Sequence, residues 1–345
     1  MKGFDLFSGI GGFHHGAHDL LGSGYETVAY CEIDPKARIA YEATLNSSMP
    51  ISFSDVNDIT GKFDATSKSF GNIRHINKIL PNFDILFAGF PCQPFSSMGK
   101  RNGLDDPRGI LFNHIEVILR AKKPRYFILE NVRGIKTIDN GSVIHHIMES
   151  LKNLGYQTTY WMLNSEQYGI PQTRRRIFFV GDLKGGNLNI NEDTPPKEIP
   201  MSRRRYKSML DILQKDVNEK YYLSEKIKKT ILSSGTGGWK SNPEINKNPA
   251  RPLTYTMHKM HRASQDNYYS DYYLSGGSSK KIRRITPYEA LLIQGFKRNV
   301  AKKIIALGLS DTQIYKLAGN AVSVTTSKYV LSHILNGAIK KHGIN

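Results

Sequence analysis

The sequence predicts an α/β fold in which a doubly wound, mostly parallel sheet is joined to a smaller, irregular lobe. Over the first half of the chain, short apolar runs alternate with segments of helical periodicity. Such alternation is typical of a parallel sheet with helices on its faces. From residue 182 the composition shifts to Asn, Pro, Lys and Arg, and clean periodicity fades until about residue 285.

The first part of the chain predicts strands that alternate with helices. Residues 4–7 are an apolar run typical of a buried strand, and the glycine-rich turn 8–12 separates them from a helical pattern. The predicted elements are strand 4–7, helix 13–21, strand 28–31, helix 35–45 with Pro35 in its first turn, and a third strand ending at Asp55 and Val56.

The same alternation continues with longer apolar runs. Residues 83–89 are the clearest of these, and each run is followed by a helical or polar segment. The predicted elements are strand 83–89, helix 110–121, strand 126–130, helix 142–153 and strand 177–181.

The remainder of the chain predicts a division into three regions. A linker rich in polar residues, with three arginines at 203–205, leads into the irregular stretch. We therefore predict a large domain at 1–184, a lobe at 185–285, and a segment at 286–345 that returns to the large domain. Helices are predicted at 286–296, 311–317 and 320–336.

Composition indicates the kind of partner. The 345 residues include 48 Lys plus Arg and 30 Asp plus Glu, a formal net charge of +18. This surplus favours a polyanion and salt-dependent binding, but charge alone does not separate DNA from RNA or an anionic membrane. Two cysteines, Cys31 and Cys92, are too few for a disulfide framework and fit a cytoplasmic setting. We expect no signal peptide and no membrane span, because no apolar stretch approaches the ~20 residues needed.

The glycine turn predicts a nucleotide-cofactor site. Glycines at a strand-to-helix turn let the backbone approach a ligand closely, and Glu32 ends the predicted second strand. An acid at that position can bind both ribose hydroxyls of an adenosine cofactor. The dinucleotide fingerprint requires glycine where this chain has His14. A cofactor without a pyrophosphate, such as S-adenosylmethionine, is therefore favoured over a nicotinamide dinucleotide.

Polar residues follow the predicted strands at positions suited to catalysis. Cys92 lies between two prolines after strand 83–89, and loops at strand C-termini hold the active site in open α/β sheets. Glu130 ends the next strand, where a carboxyl could be kept protonated and donate to a ring nitrogen. Arg174 and Arg176 have the spacing that places both side chains on one strand face. Cys31, inside an apolar strand, is instead typical of a structural cysteine.

Together and in this order, the motifs resemble those of the DNA (cytosine-5) methyltransferase family of the bacterial or phage restriction–modification type. Pro-Cys-Gln at 91–93 and Glu-Asn-Val at 130–132 resemble its catalytic motifs. The resemblance extends from residue 4 to about residue 330. Its other parts are the glycine turn 5–13, Gln-x-Arg-x-Arg at 172–176, the small-lobe motif at 284–296, and Gly-Asn-Ala-Val at 319–322.

The resemblance implies a Rossmann-like methyltransferase that uses S-adenosylmethionine and acts on double-stranded DNA, without a metal. Residues 1–184 would be its catalytic and cofactor-binding domain, and 185–285 its target-recognition domain. The implied catalytic residues are Cys92, Glu130, Arg174 and Arg176. The implied cofactor contacts are Phe7, Gly9, Gly11, Gly12, Glu32, Ile33, Asp55, Val56, Pro91, Leu111, Asn320 and Val322.

The resemblance also implies a mechanism. Cys92 would add to carbon 6 of a flipped-out cytosine, and Glu130 would hydrogen-bond N3 and the exocyclic amine. Arg176 would bind O2, and Arg174 would position Cys92 or the backbone, although the sequence leaves the two arginine roles interchangeable. The loop 96–108 would close over the base. The loops 235–240 and 254–262 would reach the DNA groove, and His258 and His261 there are interpreted as polar loop residues.

Two alternative functions remain open from the sequence. Some family members on this scaffold modify cytosine in tRNA, and a relative that had lost catalysis could serve as a DNA-binding module. The intact Cys92, Glu130, Arg174 and Arg176 argue against the second alternative. The sequence does not reveal the target site or whether a partner restriction endonuclease exists. We expect a monomer, because one chain supplies every motif.

Overall fold

The computed structural model describes residues 1–45, 49–62, 71–90, 110–187, 189–236, 238–276 and 281–342. The chain divides into two compact units. Unit 1 comprises Met1–Leu163, Arg175–Lys197 and Ser327–Asn345, and unit 2 comprises Asn164–Arg174 and Glu198–Thr326. The functional roles given to 1–184, 185–285 and 286–345 remain predictions.

Unit 1 is built on a mostly parallel sheet. Its strands within the described ranges are β1 Lys2–Leu6, β2 Glu26–Cys31, β3 Ile51–Phe53, β4 Ile85–Gly89, β5 Tyr126–Val132, β6 Gln157–Asn164 and β7 Arg175–Asp182. They form one sheet in the order β3-β2-β1-β4-β5-β7-β6. The pairs among β1 to β5 are parallel, and β7 pairs antiparallel with β5. The predicted fold class is therefore confirmed.

The strand predictions hold except at the third strand. That strand ends at Phe53, so the prediction that it ends at Asp55 and Val56 was wrong. The Asp55 carboxylate accepts the backbone N–H of Asn57 at 2.9 Å, and this local hydrogen bond turns the chain away from the sheet. β6 was not predicted, because its half-buried pattern of Thr, Tyr and Trp has no long apolar run.

Helices and a large apolar core complete the first part of unit 1. The helices are α1 Gly12–Leu21, α2 Pro35–Thr44, α3 Asn57–Thr60, α4 Ile73–Ile79, α5 Ile110–Lys122 and α6 Ser142–Asn153. Asp34 caps α2 by accepting the N–H of Lys36 at 2.8 Å, and Pro35 occupies the first turn, where its missing donor costs nothing. Side chains from β1, β4, β5 and α5 fill the core, which includes Phe4, Leu86, Ile115 and Phe127.

Unit 2 is made of short helices and strands. Its named elements are α7 Glu225–Ile231, β8 Gly235–Thr236, β9 Trp239–Lys240, β10 Tyr268–Ser270, α8 Asp271–Ser275, β11 Ile282–Arg284, α9 Pro287–Ile293, α10 Arg298–Ile305 and α11 Asp311–Asn320. β8 pairs with β9 and β10 with β11, both antiparallel. A small apolar cluster contains Ile231, Ala263, Tyr268 and Ile282.

A fully buried ion pair joins β11 to α9 in unit 2. Arg283 donates from Nη1 to Oε2 of Glu289 at 2.9 Å and from Nη2 to Oε1 at 2.8 Å, and both side chains are completely inaccessible to solvent. Glu289 also accepts the N–H of Thr286 and the N–H of Gln214, each at 2.7 Å. Because each Glu289 oxygen has both a guanidinium and a backbone partner, the desolvation of that carboxylate is well compensated.

The chain ends in the long helix α12, Val324–His342. The prediction of a helix starting at residue 320 was wrong at its beginning: Asn320 closes α11, and Ala321 has extended backbone angles. None of the helices within the described ranges combines the length and apolar character needed to cross a membrane.

Candidate active site

The turn between β1 and α1 is an open, left-handed loop. Phe7, Gly9 and Gly11 have φ angles of 54°, 54° and 84°. The N–H of Ser8 donates to the carbonyl of Cys31 at 3.1 Å, which ties the turn to β2. A Cβ on Gly9 would meet no described atom within 4 Å. The loop therefore leaves room for a ligand to approach its backbone closely.

Glu32 is anchored at the end of β2 by backbone donors on both sides. Its Oε2 accepts the N–H of Gly9 and its Oε1 accepts the N–H of Asp34, each at 2.8 Å. Burial raises the pKa of the Glu32 carboxyl, and these two N–H groups oppose that rise by stabilising the charged form. Each oxygen keeps a second lone pair, so the carboxylate can also accept two hydroxyl groups.

Two neighbours shape the loop that follows Glu32. The side chain of Ile33 is 72% exposed, which presents an apolar surface beside the carboxylate. Arg38 of α2 donates from Nη1 to the carbonyls of Glu32 and Ile33 at 2.9 and 3.1 Å. Arg38 was not predicted from the sequence, because its role depends on how α2 folds back toward the end of β2.

Asp55 and Val56 lie after β3, where a network of polar groups holds them. Asp55 Oδ1 accepts the backbone and side-chain N–H groups of Asn57, and Val56 is buried. The hydroxyl of Thr60 donates to the Val56 carbonyl at 3.0 Å and lies 2.6 Å from Nδ1 of His114. Burial lowers the pKa of His114 to about 4, so its ring is neutral at physiological pH. Thr60 and His114 were also missed.

Glu130 and Arg176 form an ion pair at the carboxyl end of β5. Arg176 Nε lies 3.1 Å from Glu130 Oε1, with the two side chains only 19% and 11% exposed. The antiparallel register pairs Glu130 with Phe178 and Val132 with Arg176, which places both charged side chains on the same face of the ladder. The structure thus brings together two of the four predicted catalytic residues.

The strand that leads to Cys92 ends beside Glu130. The register of β4 and β5 pairs Gly89 with Glu130. The side-chain amide of Asn131 donates to the carbonyl of Phe90 at 3.1 Å, so the Glu-Asn-Val segment is tied to the start of the Pro-Cys loop. Pro91, Cys92 and the proposed lid at 96–108 lie outside the described residues. Leu111 lies half-buried in the first turn of α5.

Arg174 has different surroundings from Arg176. The prediction that both side chains share one strand face was wrong, because β7 begins at Arg175 and strand alternation does not extend to Arg174. Arg174 is buried in unit 2, where it donates to the carbonyl of Leu253 at 2.9 Å and to those of Gly319 and Ala321 at 3.2 and 3.1 Å. Through these three hydrogen bonds, Arg174 holds two backbone segments of unit 2 together, which is a structural role.

The Gly-Asn-Ala-Val motif lies in unit 2 at the end of α11. Asn320 is exposed and Val322 is buried. A Cβ on Gly319 would overlap the backbone carbonyl of Thr254, so only glycine permits this close approach. The hydrogen bonds from Arg174 to Gly319 and Ala321 therefore fix the segment that carries Asn320 and Val322.

The loop 254–262 of unit 2 is internally cross-linked. His261 Nε2 lies 3.2 Å from the hydroxyl of Thr256, and the N–H of His261 donates to Asp266 at 2.8 Å. His258 Nδ1 lies 3.1 Å from the carbonyl of Tyr255, whose side chain is 42% exposed. The two histidines therefore have protein hydrogen-bond partners, in keeping with their interpretation as polar loop residues.

The residues around the glycine turn fit an adenosine-containing cofactor. The doubly anchored carboxylate of Glu32 suits a ribose diol, and the exposed Ile33 beside it suits the face of an adenine ring. The open space in front of Gly9 would accept the remainder of the cofactor.

Substituting Glu32 with glutamine is expected to weaken S-adenosylmethionine binding by about 10- to 100-fold, the loss of one or two charge-assisted hydrogen bonds. One carboxylate oxygen becomes an NH₂ group that faces a backbone N–H, so the side chain must rotate away. Titration calorimetry measures the dissociation constant. Asp34→Asn serves as the control, because its amide oxygen can still cap α2. Equal affinities for Glu32→Gln and wild type would exclude Glu32 as a ribose ligand.

The fold and the site together define a class. The sheet order, the glycine turn with its strand-end acid, and the carboxyl–guanidinium pair on the rim of β5 are those of a Rossmann-like methyltransferase. A family model described as C-5 cytosine-specific DNA methylase matches residues 1–336. The chain therefore belongs to the C-5 cytosine-specific DNA methylases, enzymes that methylate carbon 5 of cytosine in DNA. The family inferred from the motifs is confirmed.

Similar proteins agree with this assignment. The Type II methyltransferase M.HaeII of Haemophilus aegyptius is 34% identical over 97% of this chain and 93% of its own length. The Type II methyltransferase M.NgoBI of Neisseria gonorrhoeae is 34% identical over 94% of this chain and 89% of its own. The Dnmt2 methyltransferase of S. pombe is similar in structure, with a TM-score of 0.73, 18% identity and coverage of 98% and 99% of the two chains. At that identity the likeness concerns the fold alone.

Proposed function

We propose that this protein is the modification methyltransferase of a Type II restriction–modification system. It would transfer a methyl group from S-adenosylmethionine to a flipped-out cytosine within one specific duplex sequence. The observation that carries the proposal is the Glu130–Arg176 pair beside the strand end that leads to Cys92. A cognate endonuclease would cleave the same sequence when it is unmethylated. The enzyme would act as a monomer in the cytoplasm.

The cofactor would be held by the residues that the family resemblance implies as its contacts. Glu32 would accept the ribose hydroxyls, Ile33 would contact adenine, and Asp55 would accept the adenine amine. When bound, S-adenosylmethionine supplies an electrophilic methyl group on a sulfonium sulfur. The other proposed contacts are Phe7, Gly9, Gly11, Gly12, Val56, Pro91, Leu111, Asn320 and Val322.

The protein's own residues would make carbon 5 nucleophilic. The Cys92 thiolate would form a bond to carbon 6, which turns the ring into an enamine whose carbon 5 is nucleophilic toward the methyl group that the cofactor would supply. Glu130 would donate a proton to N3 and accept the exocyclic amine, which stabilises the negative charge that develops on the ring. Arg176 would orient the Glu130 carboxyl and bind O2.

Completion of the reaction needs a base and a leaving group. The proton on carbon 5 would pass to water, the 5,6 double bond would re-form as the Cys92 thiolate departs, and N3 would return its proton to the Glu130 carboxylate. Arg174 would act at a distance, because its guanidinium holds three carbonyls in unit 2. We therefore propose it as a positioning residue for the segment that carries Asn320.

The decisive experiment measures transfer of a labelled methyl group from S-adenosylmethionine to unmethylated duplex DNA and, separately, to tRNA. We expect label on cytosine carbon 5 in DNA with the wild type, and only assay background with Cys92→Ser. Cys31→Ser is the matched control, because the Cys31 thiol is buried in β2 and burial raises its pKa to about 12.

The outcomes separate the alternative functions. Sequencing of the methylated duplex identifies the recognition site. Label on tRNA alone would replace the DNA proposal with the RNA alternative. Cofactor binding without any transfer would favour a catalytically silent DNA-binding relative, whereas full activity of Cys92→Ser would exclude Cys92 as the nucleophile.

A further inference from the structure

Three cations surround the end of the β5–β7 ladder in unit 1. The ladder ends where Val132 pairs with Arg176. Arg133 follows Val132 as the first residue of the next 3-10 helix, and Arg175 precedes Arg176 as the first residue of β7. The 3-10 helix Arg133–Lys136 that follows β5 contacts β7. We call Arg133, Lys136 and Arg175 the rim cations.

The rim cations are exposed and have no carboxylate partner among the described residues. All three side chains face solvent, and the Lys136 ammonium lies 5.7 Å from the ring centroid of Tyr160. Within the part of the chain that the structure describes, none of the three forms an ion pair with an acidic side chain.

At the opposite end of the same two strands, a cation is paired with an anion. There, Arg125 Nε lies 3.5 Å from Asp182 Oδ1, so a cation is matched by an anion across the ladder. At the rim end, Arg133 and Arg175 flank the last ladder pair, Val132 and Arg176, and neither is matched by an acidic side chain among the described residues. Like charges gathered at one end of a ladder repel one another. An external polyanion would remove the repulsion.

We propose that the rim cations bind backbone phosphates of the DNA strand next to the target cytosine. The proposal rests on the DNA substrate that the family establishes. Arg175 adjoins Arg176 in β7 and Arg133 follows the strand that carries Glu130, so the rim cations belong to the end of the sheet where the cytosine ring would be held. A base that leaves the helix turns about its own sugar–phosphate backbone and loses stacking energy. Phosphates held in place next to that base would give the rotation a fixed axis, and the guanidinium groups of Arg133 and Arg175 can grip phosphate oxygens in a bidentate manner.

The salt dependence of DNA binding tests the proposal. The probe is a fluorescein-labelled duplex of random sequence, titrated without S-adenosylmethionine at several sodium chloride concentrations. The slope of log K against log salt falls in magnitude by about 0.9 for each lost phosphate contact. We expect the double variant Arg133→Gln/Arg175→Gln to reduce the magnitude of the slope by about 2. Adding Lys136→Gln to this variant should reduce it by about one more.

The control removes two positive charges, as the double variant does, but from the opposite end of the strands. Lys2 begins β1 and Lys184 follows β7, and both side chains are exposed. The variant Lys2→Gln/Lys184→Gln should leave the slope close to the wild-type value, because salt screens charges beyond about 10 Å. Equal slopes for the rim variant and this control would overturn the proposal, as would weaker binding with an unchanged slope. Methyl transfer by the wild type, measured separately, shows whether the enzyme function itself holds.

Discussion

Replacing Glu130 with glutamine is expected to lower kcat for DNA methylation by roughly 10²–10⁴-fold, the range that a positioned acid contributes. The amide has almost the same shape, so Arg176 can keep a partner at the position of Oε1, 3.1 Å from its Nε. The amide cannot pass a proton to N3 of cytosine, so negative charge that develops on the ring is left without neutralisation. Steady-state kinetics at saturating DNA and cofactor measure this loss.

KM for DNA and the melting temperature of Glu130→Gln show whether the loss of kcat comes from the chemical step or from weaker binding or folding. KM for DNA and the melting temperature should stay near their wild-type values, since the substitution removes an interaction made mainly in the transition state. Glu116→Gln is the matched control, because it also removes a carboxylate paired with an arginine, Arg120, but on the outer surface of α5. A wild-type kcat for Glu130→Gln would show that Glu130 is not the acid.

Replacing Glu289 with alanine is expected to lower the free energy of unfolding of unit 2 by about 3–5 kcal/mol, the cost of leaving one buried charge without its partner. Arg283 would keep its position inside the unit with no carboxylate to meet it, and the N–H groups of Thr286 and Gln214 would lose their acceptor. Whole domains are stable by only about 5–15 kcal/mol. Urea denaturation followed by fluorescence measures the shift of the midpoint.

Two further variants show that the loss comes from an unpaired charge. The double variant Arg283→Met/Glu289→Leu should recover part of the stability, since an apolar pair carries no desolvation cost. The recovery should be incomplete, because Gln214 and Thr286 still lack acceptors. Glu219→Ala, which breaks the exposed pair with Lys281, should leave the midpoint unchanged. A midpoint for Glu289→Ala equal to that of Glu219→Ala would refute the structural role of the buried pair.

Structural features that are set by residues close together in the chain were predictable from the sequence. The strands before Gly9 and Cys92, the tight glycine turn and the acid at the end of β2 each follow from residues within one short segment. The same holds for the start of α2, where Asp34 and Pro35 form the first turn. The order of strands and helices along the chain sufficed for the mostly parallel sheet, because crossover connections constrain the topology.

The parts that depend on distant residues were not predictable. Arg174 and Arg176 are separated by one residue and have the same side chain, so periodicity predicted one face and left their two roles interchangeable. In the structure, β7 begins between them: Arg176 meets Glu130 across the ladder, whereas Arg174 meets carbonyls from Leu253, Gly319 and Ala321. The sequence by itself therefore determined the fold class and the positions of most strands, although it missed β6. Only the tertiary structure decided which charge meets which partner, because a side chain's partner depends on its position in space and not on its place in the chain.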